Sequence, residues 1–172
     1  MAKYVIDVQG YSVEKSFLIK ELSIVNLDSE NVLHFLVKPP FNRKLLSYDD
    51  QRCVSRLQYN YHKISWDDGV FDYSEVLMNL LRATQNARVI YVKGMEKAAI
   101  IRKLTGKFTI DLDELHCPRA IYLPTPRLVN VLTCSYYSHS SSDANCKCSL
   151  LQALKYKEWI IALFERGVDE VC

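Results

Sequence analysis

Three thiols and one imidazole fall within the polar stretch CSYYSHSSSDANCKC, at Cys134, His139, Cys146 and Cys148. Cysteine sulfur and histidine nitrogen are the donors that zinc favours, usually four in a tetrahedron. No hydrophobic period accounts for their positions, and their spacing matches neither a paired CxxC ribbon nor a common finger. Free thiols in a loop are the alternative reading. Two carboxylates interrupt apolar strand patterns: Asp7 in YVIDV and Glu21 in FLIKELSIV. A buried charge is costly without a partner. A Glu from the second strand with Cys, His and Cys from just before the last helix makes a tetrahedral set that pins the loop to the sheet. The bland alternatives are a solvent-facing Glu21 and an Asp7 at a frayed strand end. A third group is basic: Lys38, Arg43, Lys44, Arg52 and Arg56, with Tyr48 and Tyr59 interleaved. It reads either as a phosphate-backbone contact with stacking platforms or as a solvated face.

The chain has 172 residues, 49% of them hydrophobic and 24% charged, with a net charge of +2. These values suit one domain spanning 1–172, and they make no overall electrostatic case for nucleic acid. No apolar run approaches the ~18 residues of a membrane span. The chain starts directly on a strand pattern, so an intracellular location, nuclear or cytoplasmic, is expected. There the six cysteines stay reduced, and a cluster of them points to metal or burial before disulfides.

The elements that must position these groups follow from the pattern. Residues 4–8 read as a strand closed by Gln9-Gly10. Residues 16–27 form a longer strand with two apolar faces, and 32–37 a third strand stopped by Pro39-Pro40. Ser47 is an N-cap, with Asp49 and Asp50 in the first helical turn. A further helix carries Val76, Leu77, Leu80 and Leu81. A strand at 87–94, a helix at 95–106 stopped by Gly106, a strand at 108–115 and an amphipathic helix at 149–167 complete the order β-β-β-α-β-α-β-α. Tyr156, Trp159 and Phe164 belong to the core, and His62 to a packed aromatic turn. The expected fold class is α/β: a mixed sheet, three antiparallel strands then two parallel ones, flanked by helices.

This order, with an Asp on the first strand, resembles the ribonuclease-H-like fold and its DEDDh exonuclease branch. That resemblance implies two metal ions held by acids. The chain departs from it: Asp7-Val8-Gln9 replaces Asp-x-Glu, Glu96 is the nearest acid after the fourth strand, and Asp111 ends the fifth. These four are vestigial candidates. The chain is most similar to the Maelstrom domain of animal germline small-RNA silencing, which has lost the exonuclease acids and carries a Glu-Cys-His-Cys zinc site. The matching residues are Glu21, Cys134, His139 and Cys148, with Cys146 as an alternative ligand. YVIDVQGY, HFLVKPP, YNYHKISWDDG and YVKG also resemble an uncharacterised insect-type family of this fold. The resemblance implies a pseudo-nuclease with structural zinc that binds single-stranded RNA in RNA silencing and at most cleaves it weakly. Alternatives are a protein-interaction scaffold, with a protein partner in silencing or transposon control, and a divergent metal-dependent nuclease using Asp7, Glu96 and Asp111.

Overall fold

The computed structural model describes residues 2–127 and 148–167. Five strands, β1 (Ala2–Val13), β2 (Ser16–Asn26), β3 (Val32–Leu36), β4 (Ala87–Val92) and β5 (Thr109–Asp111), form one sheet in the order β3-β2-β1-β4-β5. β1 and β2 pair antiparallel, as do β2 and β3; β4 runs parallel to both β1 and β5. The expected α/β class and mixed sheet are therefore present. Helices α1 (Tyr48–Asn60), α2 (Tyr73–Thr84), α3 (Met95–Thr105) and α4 (Ser149–Glu165) flank it.

Strand alternation sorts the core. Val5 and Val25 point to α4, joining Leu154 and Ile160, whereas Ile6, Val8, Leu22 and Ile24 point the other way, joining Val76, Leu80 and Ile101 of α2 and α3. With helices on both faces, β2 carries apolar residues on both of its faces, as its sequence suggested. Ser47 caps α1 by accepting the Asp50 N–H, and Gly106 closes α3 in the left-handed region at φ 65°. Tyr156 is buried, and Trp159 and Phe164 pack partly buried beside it.

Three expectations are corrected. Gln9-Gly10 does not end β1, which runs on to Val13 and turns through Glu14 and Lys15, both with positive φ, as a tight hairpin requires. Gly10 instead sits at a β-bulge, where a Cβ would lie 2.0 Å from the Leu18 carbonyl oxygen. Only glycine admits that approach. The fifth strand covers only Thr109–Asp111. Last, α4 is not half-wet: Ser149 and 152–157 are all buried. Its lysines reach out to loop carbonyls, Lys155 to Ala120 at 2.9 Å and Lys157 to Asn26 at 2.8 Å. The long stems cover apolar surface while each ammonium finds an acceptor.

The segment between α1 and α2 is clipped to the sheet by Lys20. Its ammonium is buried and donates to the carbonyls of Val37 (2.6 Å), Trp66 (2.9 Å) and Asp68. Burial lowers this lysine to about 8, with Asp67 and Asp68 pulling the other way. Beside it, His62 packs edge-on against Tyr11 with ring centroids 4.8 Å apart, and its Nδ1 accepts the Ile64 N–H. His62 Nε2 is enclosed, with no hydrogen-bond partner among the described residues. Burial lowers His62 to about 4; the Gly10 backbone favours the cation, while Lys20 and Lys97 oppose it.

His62 must therefore be neutral in the fold. Its unfolded pKa, ~6.5, lies above its folded one, so stability is complete above the former and declines as pH falls toward the latter. A shift of this size corresponds to about 3 kcal/mol. His62→Asn, whose amide oxygen can still take the Ile64 N–H, is expected to flatten this acid limb between about pH 6.5 and 4. Urea unfolding across that range checks it; an unchanged limb would place the acid sensitivity elsewhere.

Candidate metal centre

The polar groups of the sheet gather on the face beneath the start of α4. Register explains why. Asp7 lies opposite Ser23, Gln9 opposite Glu21, and Ser23 opposite His34. Alternation thus lines up Asp7 and Gln9 of β1, Glu21 and Ser23 of β2 and His34 of β3 on one face. Glu21 and His34 are diagonal neighbours across the β2–β3 pair, within reach of each other's side chains.

Glu21 is fully buried, which overturns the solvent-facing reading. Its Oε1 lies 2.8 Å from His34 Nε2, and its Oε2 accepts the Ser149 N–H at 3.1 Å. The carboxylate therefore takes an orphan donor at the N-terminus of α4, the end where the helix dipole favours negative charge. The hydroxyls of Ser23 and Ser149 meet at 2.6 Å alongside. Cys148, the N-cap residue of α4, is also buried.

One donor atom each from Glu21, His34 and Cys148 fall within 4.8 Å of one another. Tetrahedral zinc with bonds of about 2.0–2.3 Å needs donor separations of roughly 3.3–3.8 Å. The Glu21–His34 pair at 2.8 Å would open by about half an ångström and the widest separation would close by about one, and the mix of oxygen, nitrogen and sulfur is one that zinc accepts. The residues fit the metal. Cys134, His139 and Cys146 lie outside the described residues.

Asp7 is fully buried in the middle of β1, so it is no frayed end. Lys97, from the first turn of α3, places its Nζ 2.7 Å from Asp7 Oδ1, and Gln9 Nε2 lies 3.3 Å from Oδ2. Burial pushes the Asp7 carboxyl up, and the charge of Glu21 adds to this, while Lys97 pulls it back by charge and hydrogen bond. Asp111 is buried with its Oδ1 accepting the N–H groups of Gly94 and Asp113, both at 2.9 Å, so it shapes the turn into α3. Glu96 is exposed.

The basic run divides. Lys38 pairs with Asp72 at 3.1 Å, and Arg43 donates to the Gln51 carbonyl at 3.0 Å and to Ser55 Oγ at 2.5 Å. Lys44, Arg52 and Arg56 are exposed. Among the described residues, no helix is long and apolar enough to cross a membrane. In comparisons with known proteins, no family model and no curated protein matches the chain.

Sequence reasoning singled out Glu21 and Cys148, which the structure places beside His34, but it did not single out His34, Lys97 or Ser149. A histidine inside the apolar run VLHFLV was a legible signal, since the stretch offers no local partner. Nothing near MEKAAII marks Lys97, whose partner is 90 residues away.

Removing the lysine leaves a buried charge unpaired. Lys97→Ala is expected to cost about 3 kcal/mol, and Asp7→Asn in the same chain to recover most of it. Urea unfolding of both single variants and the double variant checks the coupling; additive effects would show that the pair is not coupled.

Proposed function

We propose that this chain is a ribonuclease-H-like domain of the Maelstrom kind that does not hydrolyse phosphodiesters by two metal ions, carries a structural zinc and holds single-stranded RNA. The observation that carries the reading is the Asp7–Lys97 pair. Two-metal chemistry needs an open cluster of hard oxygen ligands. Here the first-strand carboxylate faces an ammonium at 2.7 Å and an amide at 3.3 Å, and Asp111 is occupied by backbone N–H groups. The strand order β3-β2-β1-β4-β5 supports the fold assignment.

In this reading zinc joins Glu21 of β2, His34 of β3 and Cys148 of α4. His34 supplies the imidazole expected from His139, and Cys134 closes the set, with Cys146 as the alternative. The donors are then one carboxylate, one imidazole and two thiolates, the same set in a different chain order. Closed by protein ligands, such a metal stabilises the fold and leaves no position for substrate.

Elemental analysis of protein purified without a metal-affinity step is expected to give about one zinc per chain. The metal should be lost in Glu21→Ala, His34→Ala, Cys148→Ser and Cys134→Ser and kept in His139→Ala. Zinc-free wild type would remove the metal from the proposal. Incubation of single-stranded RNA with magnesium or manganese should give no cleavage above that of Asp7→Ala; metal-dependent cutting abolished by that substitution would overturn the pseudo-nuclease reading.

A further inference from the structure

We infer that the outer face of α1 is a single-stranded RNA track, with one backbone phosphodiester seated between Arg52 and Arg56 and bases stacked on Tyr48 and Tyr59. The inference rests on the RNA-binding part of the proposed function and gives it a site.

Helical geometry makes the first argument. Tyr48, Arg52, Arg56 and Tyr59 are spaced four, four and three residues apart, so at about 3.6 residues per turn they form one stripe some 16 Å long. The two rings are 75% and 64% exposed, far from the burial usual for large aromatics. Arg52 already lies over the Tyr48 ring, 5.8 Å from its centroid. Among the described residues, neither Arg52 nor Arg56 is held by a hydrogen bond or ion pair. Arg43, by contrast, is spent on Gln51 and Ser55, stiffening the helix behind them.

Charge makes the second. Residues 41–63 contain five Lys and Arg against two Asp, while the remainder contains seventeen against eighteen. The whole positive excess of the chain therefore belongs to this segment. A polyanion is drawn to α1 and its flanks, although the protein as a whole is nearly neutral.

The third argument is shape. A cleft of about 530 Å³ runs along the helix, lined by Asp49, Arg52, Cys53, Ser55 and Arg56. Two guanidiniums against one carboxylate leave a single net positive charge at its mouth. That matches the single charge of an internal phosphodiester better than the multiple charge of a free nucleotide. Arginine binds such oxygens through paired N–H donors, and flanking rings take bases of any sequence. The expected recognition is hence strong in its salt dependence and weak in sequence preference.

The test uses fluorescence anisotropy with a labelled twelve-nucleotide oligo-uridine RNA on the full chain. Wild-type protein is expected to bind it. Arg52→Gln with Arg56→Gln should weaken binding and lower the slope of log K against log salt by about 0.7, the counterion release of one phosphate contact. Tyr48→Ala and Tyr59→Ala should each weaken binding about tenfold. All four side chains are on the surface, and circular dichroism confirms that the variants fold. Wild-type affinity and slope in the double arginine variant would overturn the site while leaving RNA binding elsewhere intact. Uridine monophosphate binding as tightly as the oligonucleotide would assign the cleft to a free nucleotide and overturn the strand. Wild-type protein that binds neither probe would remove both the site and the RNA-binding function.

Discussion

The carboxylate of Glu21 is the constraint on which the rest of the structure turns. It is fully buried on a sheet face otherwise packed against α4, and a charge there is stable only with directed partners. Two come from elements distant in sequence: His34 on the neighbouring strand and the Ser149 N–H at the start of α4. The same atoms thereby fix the register of β3, the axial position of α4 and the place of Cys148. Truncating His34 would remove one of the groups that offset this buried charge, and breaking a buried pair typically costs about 3–5 kcal/mol. In the proposed zinc-bound form the cation neutralises that charge, and folding and metal binding become one equilibrium.

Lysines do the complementary work. Lys20, Lys155 and Lys157 each carry an ammonium to backbone carbonyls of loops that would otherwise be loosely held. Lys97 does the same for a carboxylate. Desolvation lowers Lys20 and Lys157 from the usual lysine range, so these contacts are charge-assisted bonds bought against burial. The pattern is a sheet with polar groups saturated by the protein's own chemistry. A catalytic face would instead keep donors and acceptors open for substrate and cofactor. On the proposed reading, function has moved off the sheet and onto the outer face of α1, where Arg52, Arg56, Tyr48 and Tyr59 are exposed.

Much of the architecture was legible because it depends on local signals. Ser47 could be read as a cap because a hydroxyl one residue before a helix has a backbone N–H within reach. Gly106 could be read as a stop because the left-handed region suits glycine. The two apolar faces of β2 announced helices on both sides of the sheet. Gly10 misled because glycine signals turns and close approaches alike, and only the Leu18 carbonyl across the hairpin decides between them. In α4, an amphipathic pattern did not reveal that Lys155 and Lys157 are buried, because helical periodicity cannot see the carbonyls that lie over the helix.

The candidate site divides along the same line. The sequence by itself showed that Asp7 and Glu21 interrupt apolar strand patterns and that thiols precede the last helix, while the burial of the two acids was left to the tertiary structure. Which partners they meet was decided only by tertiary structure. Strand register set His34 diagonal to Glu21, and the parallel pairing of β4 with β1 brought the start of α3 beside the middle of β1, so that Lys97 reaches Asp7 across 90 residues. Such pairings depend on three-dimensional proximity between elements, which residue order alone does not encode.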